Sequence, residues 1–216
     1  MSIIPKVLVQ TSRKTPPEYV IQMIKAKIQP EWIYCHYTDA DVLQFFQDYP
    51  DEEFPELEKR FYSFRYGEHR ADLFRYYYLY KCGGVYMDTD AMVLTNIENI
   101  VKNYEFFSVD STYFPKSIFQ GFIGCVPGHS IIYKALKNIY YIDTHNLETD
   151  FHILCKNMYV YYKNQYIKYH IEGKPDKIVL YKEKYGNKTE AHIVDENDNI
   201  VLIHYHIDKI IPDQTK

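Results

Sequence analysis

Apolar positions along the chain switch between a period of two and a period near 3.6, and the switches mark the elements. Ile3 to Thr11 (IIPKVLVQT) reads as a buried first strand with a loop at its end. Val20, Ile21, Ile24 and Ile28 then recur at helical spacing, with Pro16 and Pro17 before them and Pro30 beyond. Trp32 to Tyr37 (WIYCHY) returns to a strand pattern. Thr38 stands as the N-cap of a helix carrying Val42, Leu43 and Phe46. This strand–helix–strand–helix order predicts a parallel sheet covered by helices.

Residues 48–66 turn acidic and then aromatic, which predicts a helical excursion. Gly67 to Cys82 is a strong helix, ended by Gly83-Gly84. Val85 to Met92 is expected as a third strand and Tyr104 to Val109 as a fourth, with another extended piece over Ile118 to Val126. His129 to Tyr141 reads as a helix, and helical periodicity continues through 147–163. Short strands are expected near 178–182, 191–194 and 200–206. No internal repeat or low-complexity tract interrupts this order.

Composition narrows the picture only in places. A chain of 216 residues fits one domain, 1–216, and at this size a core needs no disulfide support. Cys35, Cys82, Cys125 and Cys155 are widely spaced and form no CxxC pair, so free thiols are expected. A net charge of −4 and the lack of any long Lys/Arg block argue against a nucleic-acid surface. The 24 tyrosines are read chiefly as codon bias of an AT-rich genome, because Ile, Lys and Asn also run high. Asn187-Lys188-Thr189 fits a glycosylation triplet, a pattern that arises easily by chance. With neither a signal-peptide pattern nor an integral membrane segment, the chain as given is expected to be soluble and cytoplasmic.

The chemistry concentrates in Gly67–Met92 (GEHRADLFRYYYLYKCGGVYMDTDAM). Asp72 and Arg75 lie one turn apart on one helix face, beside a stripe of Ala71, Phe74 and Tyr78. After the double glycine, strand alternation points Tyr86, Asp88 and Asp90 one way, and Val85, Met87 and Thr89 the other. Two carboxylates this close at the end of a buried strand are costly unless something neutralises them. Hard oxygen ligands favour Mn²⁺ or Mg²⁺, with water and diphosphate oxygens completing the shell. An isolated Asp-x-Asp more often only caps a turn; the joint pattern of helix, glycines, aromatic and carboxylates carries the inference.

The block Arg70 to Asp90 (RADLFRYYYLYKCGGVYMDTD) resembles the core of the family 32 glycosyltransferases, typified by Och1-like mannosyltransferases. It is also similar to the donor segment of the clostridial toxin glucosyltransferases. Weaker similarity extends to Ile4-Pro5-Lys6, to Gln10-Thr11 and to Pro127-Gly128-His129. The resemblance implies an α/β, GT-A type, Rossmann-like nucleotide-binding sheet flanked by helices. Residues 1–126 would form the nucleotide-sugar-binding half, and 127–216 the acceptor-side half with a C-terminal metal-site segment. By position, Val9, Gln10 and Thr11 would lie at the donor, and Asp72 and Arg75 would contact its sugar and phosphates. Tyr86 and Asp88 would face the nucleoside and ribose, and Asp90 would be the firmest metal ligand. Val9 stands where the family often has histidine, and Gln120 where it often has asparagine.

The implied activity moves a hexose or N-acetylhexosamine from a UDP- or GDP-linked donor to a hydroxyl acceptor such as a glycan, with retention of configuration. Asp110 and Gln120 are the nearest candidates for a nucleophile, and no dedicated one is required if the leaving phosphate acts as base. A third metal ligand is expected from the tail. Alternation in VLIHYH puts His204 and His206 on one face, with His206 slightly favoured. Trp32 and Tyr34 are candidates for lining the base or acceptor pocket, with core packing the favoured reading. A haloacid-dehalogenase-type phosphatase would carry its Asp-x-Asp near the N-terminus, and a nucleotidyltransferase would need a glycine-rich loop where VQTSRKTPPE stands. A sugar-nucleotide hydrolase, or a non-catalytic glycan-binding or assembly module with a relict donor site, is the alternative reading.

Overall fold

The computed structural model describes residues 3–205. Its first half follows the expected alternation. Strand β1 (Val7–Thr11) pairs in parallel with β2 (Ile33–Tyr37) on one side and with β3 (Gly84–Met87) on the other. Helix α1 (Glu18–Lys25) starts after Pro17 and buries Val20 and Ile24, but ends before Ile28. Helix α2 (Asp39–Asp48) opens on a full capping box: Thr38 accepts from the Asp41 amide, and the Asp41 carboxylate accepts from the Thr38 amide at 2.8 Å.

The excursion over 48–66 holds only one short helix, α3 (Leu57–Ser63). Pro50 and Pro55 interrupt the rest, while Phe54, Leu57, Phe61 and Phe64 are buried against the core. Helix α4 (Gly67–Cys82) has the expected bounds. It is no surface helix, since every residue from Leu73 to Leu79 is buried. The expected strand over 85–92 is two strands, β3 and β4 (Ala91–Val93), with Asp88-Thr89-Asp90 as the turn between them. Asp88 makes the last in-register bond to β6, its amide donating to the Gly121 carbonyl at 2.8 Å, and Ala91 then closes the turn onto the Asp88 carbonyl at 3.1 Å.

The remaining elements are α5 (Ile97–Val101), β5 (Phe106–Asp110), β6 (Ile118–Cys125), α6 (Ser130–Tyr141), α7 (Thr144–Thr149), α8 (Ile153–Ile171), β7 (Ile178–Tyr185), β8 (Glu190–Val194) and β9 (Ile200–Tyr205). One mixed sheet contains all the strands of the described residues, in the order β2-β1-β3-β6-β5-β7-β8-β9-β4. This order forces a curl. A flat sheet would set β3 and β4 roughly 29 Å apart, at about 4.8 Å per strand. The stretch from Met87 to Ala91 can span no more than about 14 Å. The β9–β4 end must therefore roll back beside β3, and the acidic turn sits at the seam. Alternate residues divide the core: Val9 and Tyr86 face the layer of α2, α3, α4, α6 and α8, while Leu8, Val85 and Met87 face the layer of α1 and α5. All four cysteines are free, and among the described residues no helix is long and apolar enough to cross a membrane.

Gly83 ends α4 at φ 67° and ψ −161°, a region open essentially to glycine alone. A Cβ there would meet the Pro127 ring at 2.7 Å and the Cys125 carbonyl at 2.9 Å. Gly83→Ala is expected to lower the urea midpoint by the equivalent of about 1–3 kcal/mol or more. An unchanged midpoint would mean that the chain can leave α4 by another route.

Candidate functional site

The acidic turn borders a cavity of about 630 Å³, lined by Asp88, Thr89 and Asp90, by Arg75 and Tyr86, and by the loop Thr11-Ser12-Arg13. The start of α4 (Gly67, Glu68, Arg70, Ala71) closes one side, together with Arg65. A helix N-terminus presents free amides and the positive end of its dipole, and three further arginines stand at the same opening. Sequence reasoning passed over Ser12, Arg13, Arg65 and Arg70. Their signal was a pair of arginines flanking Gly67 and a basic residue just past the first strand, both easily taken for solvated loop charge.

Arg75 organises the floor. Its residue exposure is 5%, and its guanidinium lies 4.3 Å over the Tyr86 ring. Nη1 donates to the Gln120 carbonyl at 2.6 Å, Nη2 is 3.3 Å from Asp88 Oδ1, and Nε is 3.5 Å from Asp72 Oδ1. Burial alone would lower its pKa, but the oxygens of Tyr86, Asp88 and Asp72 reverse this and raise it. The Tyr86 hydroxyl donates to Asp88 Oδ1 at 2.9 Å, and burial pushes its own pKa well up, so it stays a proton donor. Asp72, Arg75, Tyr86 and Asp88 thus come together as the spacing predicted, although Asp72 sits behind Arg75 and does not line the cavity.

Two of the residues expected at the donor do not line the cavity. Val9 and Gln10 are both fully buried: they lie in β1, at the centre of the parallel strands, so only Thr11 reaches the cavity. Gln10 acts one layer back, where Nε2 donates to the Asp88 carbonyl at 3.0 Å and Oε1 accepts from the Tyr34 hydroxyl at 2.8 Å. Tyr34 therefore braces the turn through Gln10, and Trp32 is tied to Glu98 at 2.8 Å away from the site. Asp110 ends β5 beside Tyr159 and Lys163 in a separate groove, and does not line the cavity. Gln120 is buried behind Arg75, with Oε1 accepting from the Tyr76 hydroxyl.

At the seam, β9 brings His204 opposite Ala91, and Nε2 of His204 is 3.6 Å from Asp90 Oδ1. Burial alone would lower the His204 pKa, but contact with Asp90 raises it overall. His206 lies outside the described residues. Among the described residues no three ligating side chains already cluster as a metal cage. The donor set still suits a hard divalent ion in kind, with two carboxylates on one turn at the edge of an open cavity. Asp90 is the freer of the two, since Asp88 is committed to Tyr86 and Arg75.

Gly121, also missed from sequence, makes room for this arrangement. A Cβ there would lie 2.4 Å from Asp88 Oδ2 and 2.3 Å from the Phe119 ring. Gly121→Ala is expected to leave a folded protein with a displaced Asp88 and at least about tenfold weaker nucleotide affinity, roughly 1.4 kcal/mol; calorimetry would read it, and wild-type affinity would contradict the packing. Burial raises the Asp72 carboxyl to about 6, against the pull of Arg75. Between about pH 4 and pH 6 the folded state then holds a proton that the unfolded chain has lost, so stability falls as pH rises through this window. Asp72→Asn lacks this titration. Its stability relative to wild type, from urea melts in EDTA, should improve from pH 4 to pH 7, and a flat difference would show that Asp72 is not held up.

Residues 6–107 match the model of the glycosyltransferase sugar-binding region containing a DXD motif. The chain is 28% identical over 146 residues to mannosyl phosphorylinositol ceramide synthase SUR1 of Saccharomyces cerevisiae, covering 66% of this chain and 36% of that protein. It is 26% identical over 139 residues to inositol phosphoceramide mannosyltransferase 3 of Schizosaccharomyces pombe, covering 63% and 37%. The chain thus spans little more than a third of these relatives' length. Among solved structures it superposes on the PaToxG glycosyltransferase with a TM-score of 0.50 at 15% identity, covering 80% of this chain and 72% of that one. The fold is accordingly the GT-A type of α/β sheet.

Proposed function

We propose that this chain, whose residues 6–107 belong to the family of glycosyltransferase sugar-binding regions containing a DXD motif, transfers a hexose from a UDP- or GDP-linked donor to a hydroxyl acceptor. The observation that carries the reading is the buried Arg75 between Asp72 and Asp88, at the floor of a cavity rimmed by Arg13, Arg65 and Arg70. A buried, fully paired cation facing an open cavity is poorly explained by stability alone, because its desolvation costs as much as its pairing returns. As a preorganised group for a phosphate leaving group it has a function. The relatives' names make mannose the first sugar to test.

In this reading the diphosphate lies over the start of α4, met by its amides and by the three rim arginines. Asp90, with Asp88, would hold a divalent cation, Mn²⁺ or Mg²⁺, which supplies charge neutralisation at the diphosphate when bound. His204 stands next to Asp90 as a further ligand or as its hydrogen-bonding partner. Arg75 and the Tyr86 hydroxyl hold the Asp88 carboxylate in place. As the bond from the anomeric carbon to the β-phosphate oxygen breaks, the acceptor oxygen bonds to that carbon from the leaving-group face, and its proton passes to the departing phosphate. This route retains configuration and needs neither Asp110 nor Gln120 as nucleophile.

Asp90→Ala is the direct test. It should fold normally by circular dichroism, yet lose Mn²⁺-dependent affinity for UDP and GDP and reduce sugar transfer by at least about 100-fold, an effect on the scale of one lost electrostatic contact to a transition state. Equal nucleotide binding by wild type in EDTA and in Mn²⁺ would remove the metal role, and full turnover by the variant would remove the assignment.

A further inference from the structure

Helix α8 carries apolar residues on two opposite faces. Leu154, Met158 and Tyr162 recur at helical spacing and are buried on the side that packs on α6 and β6. Val160, Asn164, Ile167 and Ile171 recur at helical spacing on the other side. There the three aliphatic side chains stand in water, with Val160 52%, Ile167 56% and Ile171 82% exposed. At 1.5 Å per residue the stripe runs about 16 Å along the helix. It serves no core, and a helix that is apolar on all sides is normally covered on all sides.

The charged residues of α8 are all basic. Lys156, Lys163 and Lys168 flank the stripe, and no aspartate or glutamate occurs between Ile153 and Ile171. The net charge of −4 for the whole chain conceals this local excess. Asp150 and Glu172 lie just beyond the two ends of the helix, paired with Lys156 at 2.8 Å and Lys168 at 3.9 Å. Pairs this exposed are weak and open readily. Pro115 and Lys116, from the loop before β6, meet Lys156, Val160 and Lys163 around a shallow groove. Phe114 extends the same face toward the start of α8: it is 45% exposed, and its ring lies 3.8 Å from that of His152.

We propose that this face of α8 docks on an anionic lipid surface, with the helix lying in the headgroup plane. Val160, Ile167 and Ile171 enter the acyl boundary, and the lysines reach along their own stems to the phosphates. Lysine is depleted at protein interfaces, whereas an aliphatic stripe flanked by lysines suits the edge of a bilayer. A second copy of the chain would set lysine against lysine, with no acidic residue on either helix to receive it. The helix docks without crossing, since none of the described helices is long and apolar enough to span a membrane. It lies outside the residues that match the family model, and none of these side chains lines the donor cavity, so the surface is independent of the donor reading. Phe151, just before α8, packs 4.8 Å from His69 at the start of α4, and a docked helix thereby keeps the donor cavity close to the bilayer.

Vesicle cosedimentation on the full chain tests this, comparing phosphatidylcholine vesicles with the same vesicles containing phosphatidylserine, at low and at high salt. Wild type should bind the anionic vesicles at least about tenfold more tightly, and should lose most of that binding at high salt. Ile167→Asp with Ile171→Asp should weaken it at least about tenfold, and so should Lys163→Glu with Lys168→Glu. Both pairs should keep the wild-type circular dichroism spectrum, because all four side chains are at the surface. Ile167→Leu with Ile171→Leu should bind as wild type does, and so should Tyr62→Ser, which removes an exposed ring from α3. Equal binding to the two vesicle types, no binding to either, or full binding by the aspartate or the glutamate pair would overturn the lipid surface. A wild-type dimer in sedimentation velocity that the aspartate pair dissociates would also overturn it, and would give the face to a second copy.

Discussion

A guanidinium in the middle of a buried helix is tolerable only while its charge and its N–H groups are fully met, and the site depends on meeting that constraint at Arg75. Removing it from water costs several kcal/mol. Asp72 and Asp88 supply the counter-charge, the Gln120 carbonyl takes one N–H, and the Tyr86 ring supplies a π-face. These partners come from α4, from the end of β3 and from β6, so the cation ties three elements to one point. Asp88 then cannot swing freely, and the Tyr86 hydroxyl fixes the same carboxylate oxygen. The preorganisation that phosphate chemistry needs is a by-product of keeping one buried charge satisfied.

The second constraint is topological. Because β3 and β4 are neighbours in sequence and far apart in strand order, the sheet has to curl, and the acidic turn has to lie where its two ends meet. Backbone bonds hold the turn at both sides: Asp88 to Gly121 on β6, and Asp90 to Tyr205 on β9, each at 2.8 Å. Gln10 adds a third restraint from β1. The same closure carries His204 to Asp90. Glycine at position 121 is the steric condition for the closure, because any side chain there would occupy the space of the Asp88 carboxylate.

Much of this was legible in the sequence. The bounds of α4, its stop at Gly83, the capping box at Thr38 and the first parallel strands follow from local periodicity and capping chemistry. The pairing of Asp72 with Arg75, and of Tyr86 with Asp88, followed from helix and strand spacing. These signals are local, so a single sequence contains them. The chain's failure to extend β3 through Asp90 was not legible, because the Asp88 carbonyl turns away to accept from the Ala91 amide and from Nε2 of Gln10, a residue far back along the chain. The short α3 was likewise overread, since buried aromatics there look helical by composition while two prolines decide otherwise.

What the sequence determined by itself is therefore the identity of the charged groups and their order along one helix, one turn and one strand. Only the tertiary structure decided which of them share a site. Val9 and Gln10 withdrew into the sheet because β1 is flanked on both edges, and Asp110 moved to another groove because β5 lies on the far side of β6. Arg13, Arg65 and Arg70 were gathered from loop and helix start to one opening. Spacing fixes neighbours within an element, where geometry repeats every few ångströms. Neighbours between elements depend on strand order and on the curl of the sheet, and these are set by long-range packing that no local pattern records.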